Sequence, residues 1–83
     1  MQIRYFAWVR ERIGREAETL EVPGMVTTVS GLIDWLSERD ESYAGAFAER
    51  ETIRVALDHE HVEHDAPLAG AREAAFFPPM TGG

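Results

Sequence analysis

The order of apolar patterns along this chain predicts an α+β fold: a mixed sheet with one main helix packed on one face. Three observations carry that expectation. Two stretches that alternate at the strand period precede a helical stretch, and two or three follow it, giving the order β-β-α-β-β. The helical stretch carries Val29, Leu32, Ile33 and Leu36 at the i, i+3, i+4, i+7 spacing of one buried stripe. At 83 residues the chain has room for one domain with one core, and no linker, repeat or low-complexity block divides it.

Gln2 to Trp8 alternates, with Ile3, Tyr5 and Ala7 on one side and Arg4, Phe6 and Trp8 on the other. It reads as a first strand, apolar on much of both faces. Val9 to Ile13 reads as one helical turn stopped by Gly14. Glu16 to Val22 alternates again, with Leu20 and Val22 expected to face inward, and Pro23-Gly24 makes a turn. Thr27 or Thr28 then caps the main helix, which is expected to run to about Arg39. Asp40-Glu41-Ser42 breaks that helix, and Tyr43, Ala44, Phe47 and Ala48 mark a second, shorter helical piece. Ile53, Val55 and Leu57 form a third strand, and Asp58 to Asp65 is a polar turn with a short strand around Val62. Ala66 to Gly70 is a loop, and Glu73 to Phe77 is the last strand. The expected core is Ile3, Tyr5, Leu20, Val29, Ile33, Leu36, Val55 and Leu57, leaving the far face of the sheet partly open to water or to a partner.

Composition closes several functional classes. The net charge is −7, from 15 acids against 8 bases, which argues against nucleic acid or an anionic membrane as partner and favours a basic protein surface. The bases are all arginine. With no lysine there is no Schiff base, and with no cysteine there is no disulfide, thiol nucleophile or cysteine metal site. No apolar run approaches membrane-spanning length and no signal-peptide pattern opens the chain, so a cytoplasmic location is expected. A domain this small buries only about 60–65% of its unfolded surface, so its stability is thin without a partner.

The most informative segment is the last. The chain reads Phe76-Phe77-Pro78-Pro79-Met80-Thr81-Gly82-Gly83. Pro-Pro cannot donate to a β-ladder and restricts the residue before it to extended geometry, so it ends a strand and starts a stiff spacer. A pair of glycines is the slimmest backbone available. Six residues span at most about 20 Å, enough to cross the entrance of a partner's active site and present a terminal carboxylate there. The division expected is a folded part, 1–77, and a tail, 78–83. The local physics also fits an ordinary unpacked terminus.

Other candidate sites are weaker. His59, His61 and His64 lie among Asp58, Glu60, Glu63 and Asp65, which suggests a metal shell, yet a short polar turn of alternating charge reads as a solvated hairpin, and no metal site is expected. Ser30, Ser37 and Ser42 have no nucleophile motif around them, and Ser30 sits in the first turn of the helix, where capping is the ordinary role. Gly24 and Gly31 match neither dinucleotide nor phosphate-loop spacing. Phe6, Trp8, Phe76 and Phe77 either gather on the open face as an interface or fill the core, and Arg10 either rims that patch or is solvated.

These residues resemble a known family. The segment from Phe76 to Gly83 resembles the terminal motif of the small, sulfur carrier subunit of molybdopterin synthase, Phe-Pro-Pro-Val/Ile-Ser/Thr-Gly-Gly. Tyr5-Phe6-Ala7-Trp8-Val9-Arg10-Glu11 with Gly14 is similar to that family's Phe-Ala-x-Leu/Val-Arg-Glu segment, and Thr28-Val29 with Leu32 matches its helix start. The likeness spans the whole chain; the tail is its specific part. It implies a ubiquitin-like β-grasp fold of four to five strands. It also implies a sulfur carrier, not catalytic on its own, for molybdenum cofactor synthesis. A ubiquitin-activating-like adenylyltransferase would spend ATP to adenylate Gly83, and sulfur transfer would convert the adenylate to a thiocarboxylate. Pro78, Pro79, Met80, Thr81 and Gly82 would insert into the large synthase subunit, with Phe6, Arg10, His61 and Phe77 at the interface of a heterotetramer. No cofactor would be bound. A thiamine-pathway sulfur carrier and a ubiquitin-like protein modifier share the fold and the tail chemistry. The chain departs from the family at Asp58, often Asn; at His61, usually apolar; at Gly70-Ala71-Arg72, usually Asp-Gly-Asp; and at Ala74, usually a larger aliphatic residue.

Overall fold

Residues 1–79 are described by the computed structural model. Its elements are β1 (Gln2–Tyr5), α1 (Ala7–Ile13), β2 (Ala17–Thr19), α2 (Val29–Ser37), α3 (Glu41–Ala46), a 3-10 turn (Arg50–Thr52), β3 (Arg54–Leu57), β4 (Glu60–Val62) and β5 (Glu73–Phe77). The strands form one mixed sheet in the order β2-β1-β5-β3-β4. The last strand in sequence therefore lies in the middle, parallel to β1 and antiparallel to β3.

Alternation divides the sheet into two faces. Ile3, Tyr5, Val55, Leu57, Ala74 and Phe76 are buried under the helices, together with Val9, Ile13, Val29, Leu32, Ile33, Leu36, Tyr43, Ala46 and Phe47. The small Ala74, where the resemblance expects a bulkier side chain, is fully covered beside Ile3, its register partner. Phe76 anchors this layer, stacked on Tyr5 with ring centroids 6.3 Å apart and edge-on to Phe47 at 5.2 Å.

Four elements differ from the sequence reading. β1 stops at Tyr5, not Trp8. Ala7 takes a left-handed φ of 52°, which turns the chain sharply out of the strand. From there Val9 and Ile13, four apart, set a helical stripe, and α1 runs for seven residues, not one turn. Gly14 closes it with φ 87° and an N–H donated to Arg10 O. β2 is only three residues long, and its inward-facing residue is Glu18; Leu20 and Val22 are half-buried at the edge of the core. The main helix ends at Ser37, two residues before Arg39. Thr28 caps its start, accepting Gly31 N–H at 3.1 Å, and Asp40, expected only to break the helix, caps α3 through Ser42 and Tyr43 N–H.

Glu18 can face inward because its charge is met. Its Oε2 accepts the phenols of Tyr5 and Tyr43, and its Oε1 lies 3.0 Å from Arg15 and 3.8 Å from Arg39. Burial works against the carboxylate, but these hydrogen bonds and guanidiniums outweigh it and hold the carboxyl below its ordinary range. Burial and the same carboxylate push both phenols up, keeping them protonated donors.

Candidate functional site

The tail leaves the sheet from its centre. Phe77 is the last residue of β5 and stands opposite Arg54 of β3. Pro78 and Pro79 follow outside the ladder, half-buried, as two residues lacking a usable N–H must. Met80, Thr81, Gly82 and Gly83, the rest of the expected insertion segment and its reactive end, lie outside the described residues.

Around that exit the open face carries apolar groups. Arg4, Ala75, Ala56 and His61 form one row across β1, β5, β3 and β4. Beyond it stand Phe77 and Phe6. Phe6 continues β1 by one extended residue, donating its N–H to Phe76 O at 3.0 Å. Its parity with Arg4 aims it at the open face. It is 41% exposed, with the Arg4 guanidinium 5.8 Å from its ring centroid. The His61 ring meets Phe77 edge-on at 5.2 Å. Arg10 is exposed on α1, one turn past Phe6, whose carbonyl accepts its N–H.

The structure thus brings Phe6, His61 and Phe77 to one face, beside the tail. It removes two of the four expected aromatics. Phe76 has the opposite parity on β5 and is core, and Trp8 lies past the end of β1 on α1, half-buried beneath Arg12 at 4.9 Å. Sequence reasoning placed Arg4 on the side of Phe6 but missed Arg54 as the neighbour of Phe77. The period-2 identity of Arg4 with Phe6 was a usable signal; the pairing of Arg54 with Phe77 needs the register, which no local pattern contains.

The β3–β4 hairpin is tied to the same strand from the other end. Asp58 and His59 form its two-residue turn, with φ 47° and 72°, the conformation that most often recruits Asn-Gly. Asp58 Oδ1 accepts Arg72 N–H at 2.9 Å and Glu73 N–H at 3.0 Å, fixing the turn to the start of β5. Asn and Asp both supply that acceptor, so this departure leaves the turn's hydrogen bonding intact. The three histidines point to separate partners: His59 to Glu73 at 3.8 Å, His61 to Phe77, and His64 to Ile53 O at 2.8 Å. Among the described residues no group of three or more His, Cys, Asp or Glu is placed to hold a metal ion. An open apolar groove of about 440 Å³, lined by Met1, Val22, Val26, Pro67 and Leu68 among others, lies at the opposite end of β5 from the tail.

Known proteins are similar to this chain in sequence and in fold. The family model described as the ThiS family matches residues 3–83. The molybdopterin synthase sulfur carrier subunit of Escherichia coli is 34% identical over 83 residues, covering all of this chain and 99% of that protein. The crystal structure of SAMP1 from Haloferax volcanii superposes with a TM-score of 0.73 at 26% identity, covering 100% of this chain and 98% of that one. A Pyrococcus furiosus chain described as molybdopterin converting factor, subunit 1, also gives 0.73, at 25% identity and 95% coverage of each. The chain belongs to the ThiS family, and its five-stranded mixed sheet is a ubiquitin-like β-grasp.

Proposed function

We propose that this chain is the sulfur carrier subunit of a molybdopterin synthase. The observation that carries the reading is the full-length match to an E. coli subunit of that name, in a chain whose central strand runs directly into Pro-Pro and then Gly-Gly. The open face beside Phe77 supplies what a docking subunit needs, an apolar surface next to the segment to be inserted. Phe6, Arg10, His61 and Phe77 would meet the large subunit there, while Pro78 to Gly82 thread toward its active site.

The chemistry follows from the tail. A carboxylate is a poor electrophile. An adenylyltransferase partner places AMP on a Gly83 carboxylate oxygen and releases pyrophosphate from ATP. Sulfide-level sulfur then attacks the carbonyl carbon, the bond to AMP breaks, and a thiocarboxylate remains. Gly83 has no Cβ to obstruct the attack. The carried sulfur goes to cyclic pyranopterin monophosphate in the large subunit. On this reading the chain binds no cofactor, catalyses nothing alone, and works in the cytoplasm within a heterotetramer. No helix of the described residues is long and apolar enough to cross a membrane.

Intact-mass spectrometry after incubation with the adenylyltransferase, ATP and a sulfur donor tests this directly. The expected result is a mass gain equal to one oxygen exchanged for sulfur. An unchanged mass with an enzyme shown to be active on another carrier would sink the reading. A second reading, a ubiquitin-like protein modifier, is favoured by the likeness to H. volcanii small archaeal modifier protein 1, at a TM-score of 0.69 and 27% identity. It predicts many covalent adducts of a tagged chain in cell lysate, where the carrier reading predicts none. A thiamine-pathway carrier would instead donate its sulfur to a thiazole synthase.

A further inference from the structure

The open face of the sheet does not share the charge of the whole chain. Alternation puts Arg4 of β1, Arg54 of β3 and Glu73 of β5 on that face with Phe6 and Phe77. Glu63, just past β4, lines a shallow dent with Arg54 and His61. Two arginines stand against two acids there, so the net charge of −7 belongs to the other surfaces. The sign of that total therefore says little about what fits this face.

Both arginines sit where docking would cover them. The Arg4 guanidinium lies 5.8 Å from the Phe6 ring centroid, and Arg54 stands directly opposite Phe77. Neither is among Phe6, Arg10, His61 and Phe77, the positions first expected at the interface. Their charge is poorly met within the chain. Arg4 has one carboxylate neighbour among the described residues, Glu73 at 3.9 Å, and His59 shares it at 3.8 Å. The Nε of Arg4 is buried without a hydrogen-bond partner. Arg54 forms no ion pair among the described residues, Glu63 included.

A partner that covers Phe6 and Phe77 strips water from both guanidiniums. Burying a charge without a counter-charge is strongly unfavourable, and a guanidinium cannot escape by losing its proton. A basic surface would add repulsion to that loss, and a purely apolar one would leave the donors unmet. A carboxylate meets the guanidinium fork with two parallel hydrogen bonds and satisfies charge and geometry together. The acids elsewhere on the chain oppose such a partner only weakly. Exposed charges are screened beyond about 8 Å at physiological ionic strength, whereas pairs buried in contact are screened much less.

We propose, on the reading that the large synthase subunit docks at this face, that its surface there is an apolar seat for Phe6 and Phe77 flanked by Asp or Glu side chains that pair with Arg4 and Arg54. This reverses the basic partner surface that the total charge suggests.

Titration calorimetry of charge variants against the large synthase subunit from the same organism tests this. Arg4→Glu and Arg54→Glu are each expected to weaken binding by about tenfold or more. Arg50→Glu makes the same change in net charge on the helix side, where Arg50 pairs with Asp34, and is expected to bind within about twofold of the wild type. Arg4→Gln and Arg54→Gln remove a charge without adding one, and keep the test decisive if a reversal unfolds the chain. Each is expected to weaken binding severalfold, and melting temperatures confirm that the variants compared are folded. Unchanged or tighter binding by either glutamine variant, or an equal loss in Arg50→Glu, would overturn the inference. A folded wild type with no measurable affinity for the large subunit would instead overturn the docking reading on which it rests.

Discussion

The carboxylate of Glu18, on an edge strand of three residues, accepts the phenol of Tyr43 at 2.6 Å across a sequence separation of 25. That bond fastens β2 to α3 over the rim of the core, and its twin from Tyr5 ties β2 to β1. Glu18→Ala leaves two phenols inside the fold without an acceptor and is expected to cost roughly 3 kcal/mol, at about 1–3 kcal/mol for each stranded group. Urea unfolding at neutral pH measures it.

The same carboxylate makes stability depend on pH with a definite sign. Its folded pKa is depressed, so the unfolded chain binds the proton more readily. The contribution is complete above the ordinary glutamate range, near pH 4.3, and fades as pH falls through that range toward the folded value. Unfolding free energies measured from pH 7 down to pH 3 are expected to fall less steeply in Glu18→Gln than in the wild type.

His59 pays a strain cost at φ 72°, in a turn position that favours glycine. His59→Gly is expected to stabilise the hairpin by about 0.5–1 kcal/mol, net of the added freedom of the unfolded chain. Asp58→Ala is expected to destabilise by about 2 kcal/mol, because the backbone N–H groups of Arg72 and Glu73, where β5 begins, lose their acceptor. Thermal unfolding of the two variants should move in opposite directions.

Thr28→Ala removes the side chain that receives Gly31 N–H and is expected to cost about 1 kcal/mol. Thr28→Ser keeps the oxygen and should recover most of it. Chemical denaturation of the pair separates the cap from other consequences of the substitution.

Phe6 and Phe76 should respond in opposite ways. Phe76→Ala empties the centre of the core and is expected to cost about 3–5 kcal/mol, enough to unfold much of a domain this small. Phe6→Ala should leave thermal stability nearly unchanged while weakening capture by the large synthase subunit at least tenfold, the loss expected of an aromatic anchor. Deleting Gly83 is expected to abolish sulfur transfer with no change in melting temperature.

Much of this architecture was legible because its patterns are local. The stripe Val29, Leu32, Ile33, Leu36 places α2, and the alternation through Ile3 and Tyr5 places β1. The errors arose where two periods fit the same residues. Gln2 to Trp8 alternates well enough to pass as one strand, and only the left-handed Ala7 shows where the strand gives way to helix. Glu18 was passed over because a carboxylate reads as exposed, and its partners Tyr5, Arg39 and Tyr43 come from other elements. For the site, Phe6 and Phe77 were readable as candidates for either face, and the loss of Phe76 to the core depended on which face of β5 meets the helices.

The position of β5 also governs how this protein comes into being. Before residues 73–77 are available, β1 with β2 and β3 with β4 are separate two-stranded ribbons, each marginal in water. β5 zips them together, and its bond to β1 joins near-opposite ends of the chain, Gln2 with Glu73. Such long-range closure is slow and cooperative. The strand that completes the sheet is the one that hands on to the tail, so a half-made or unfolded molecule has no ordered surface from which to offer it. On the proposed function, a partner that grips the tail beside the open face would thereby inspect a finished product.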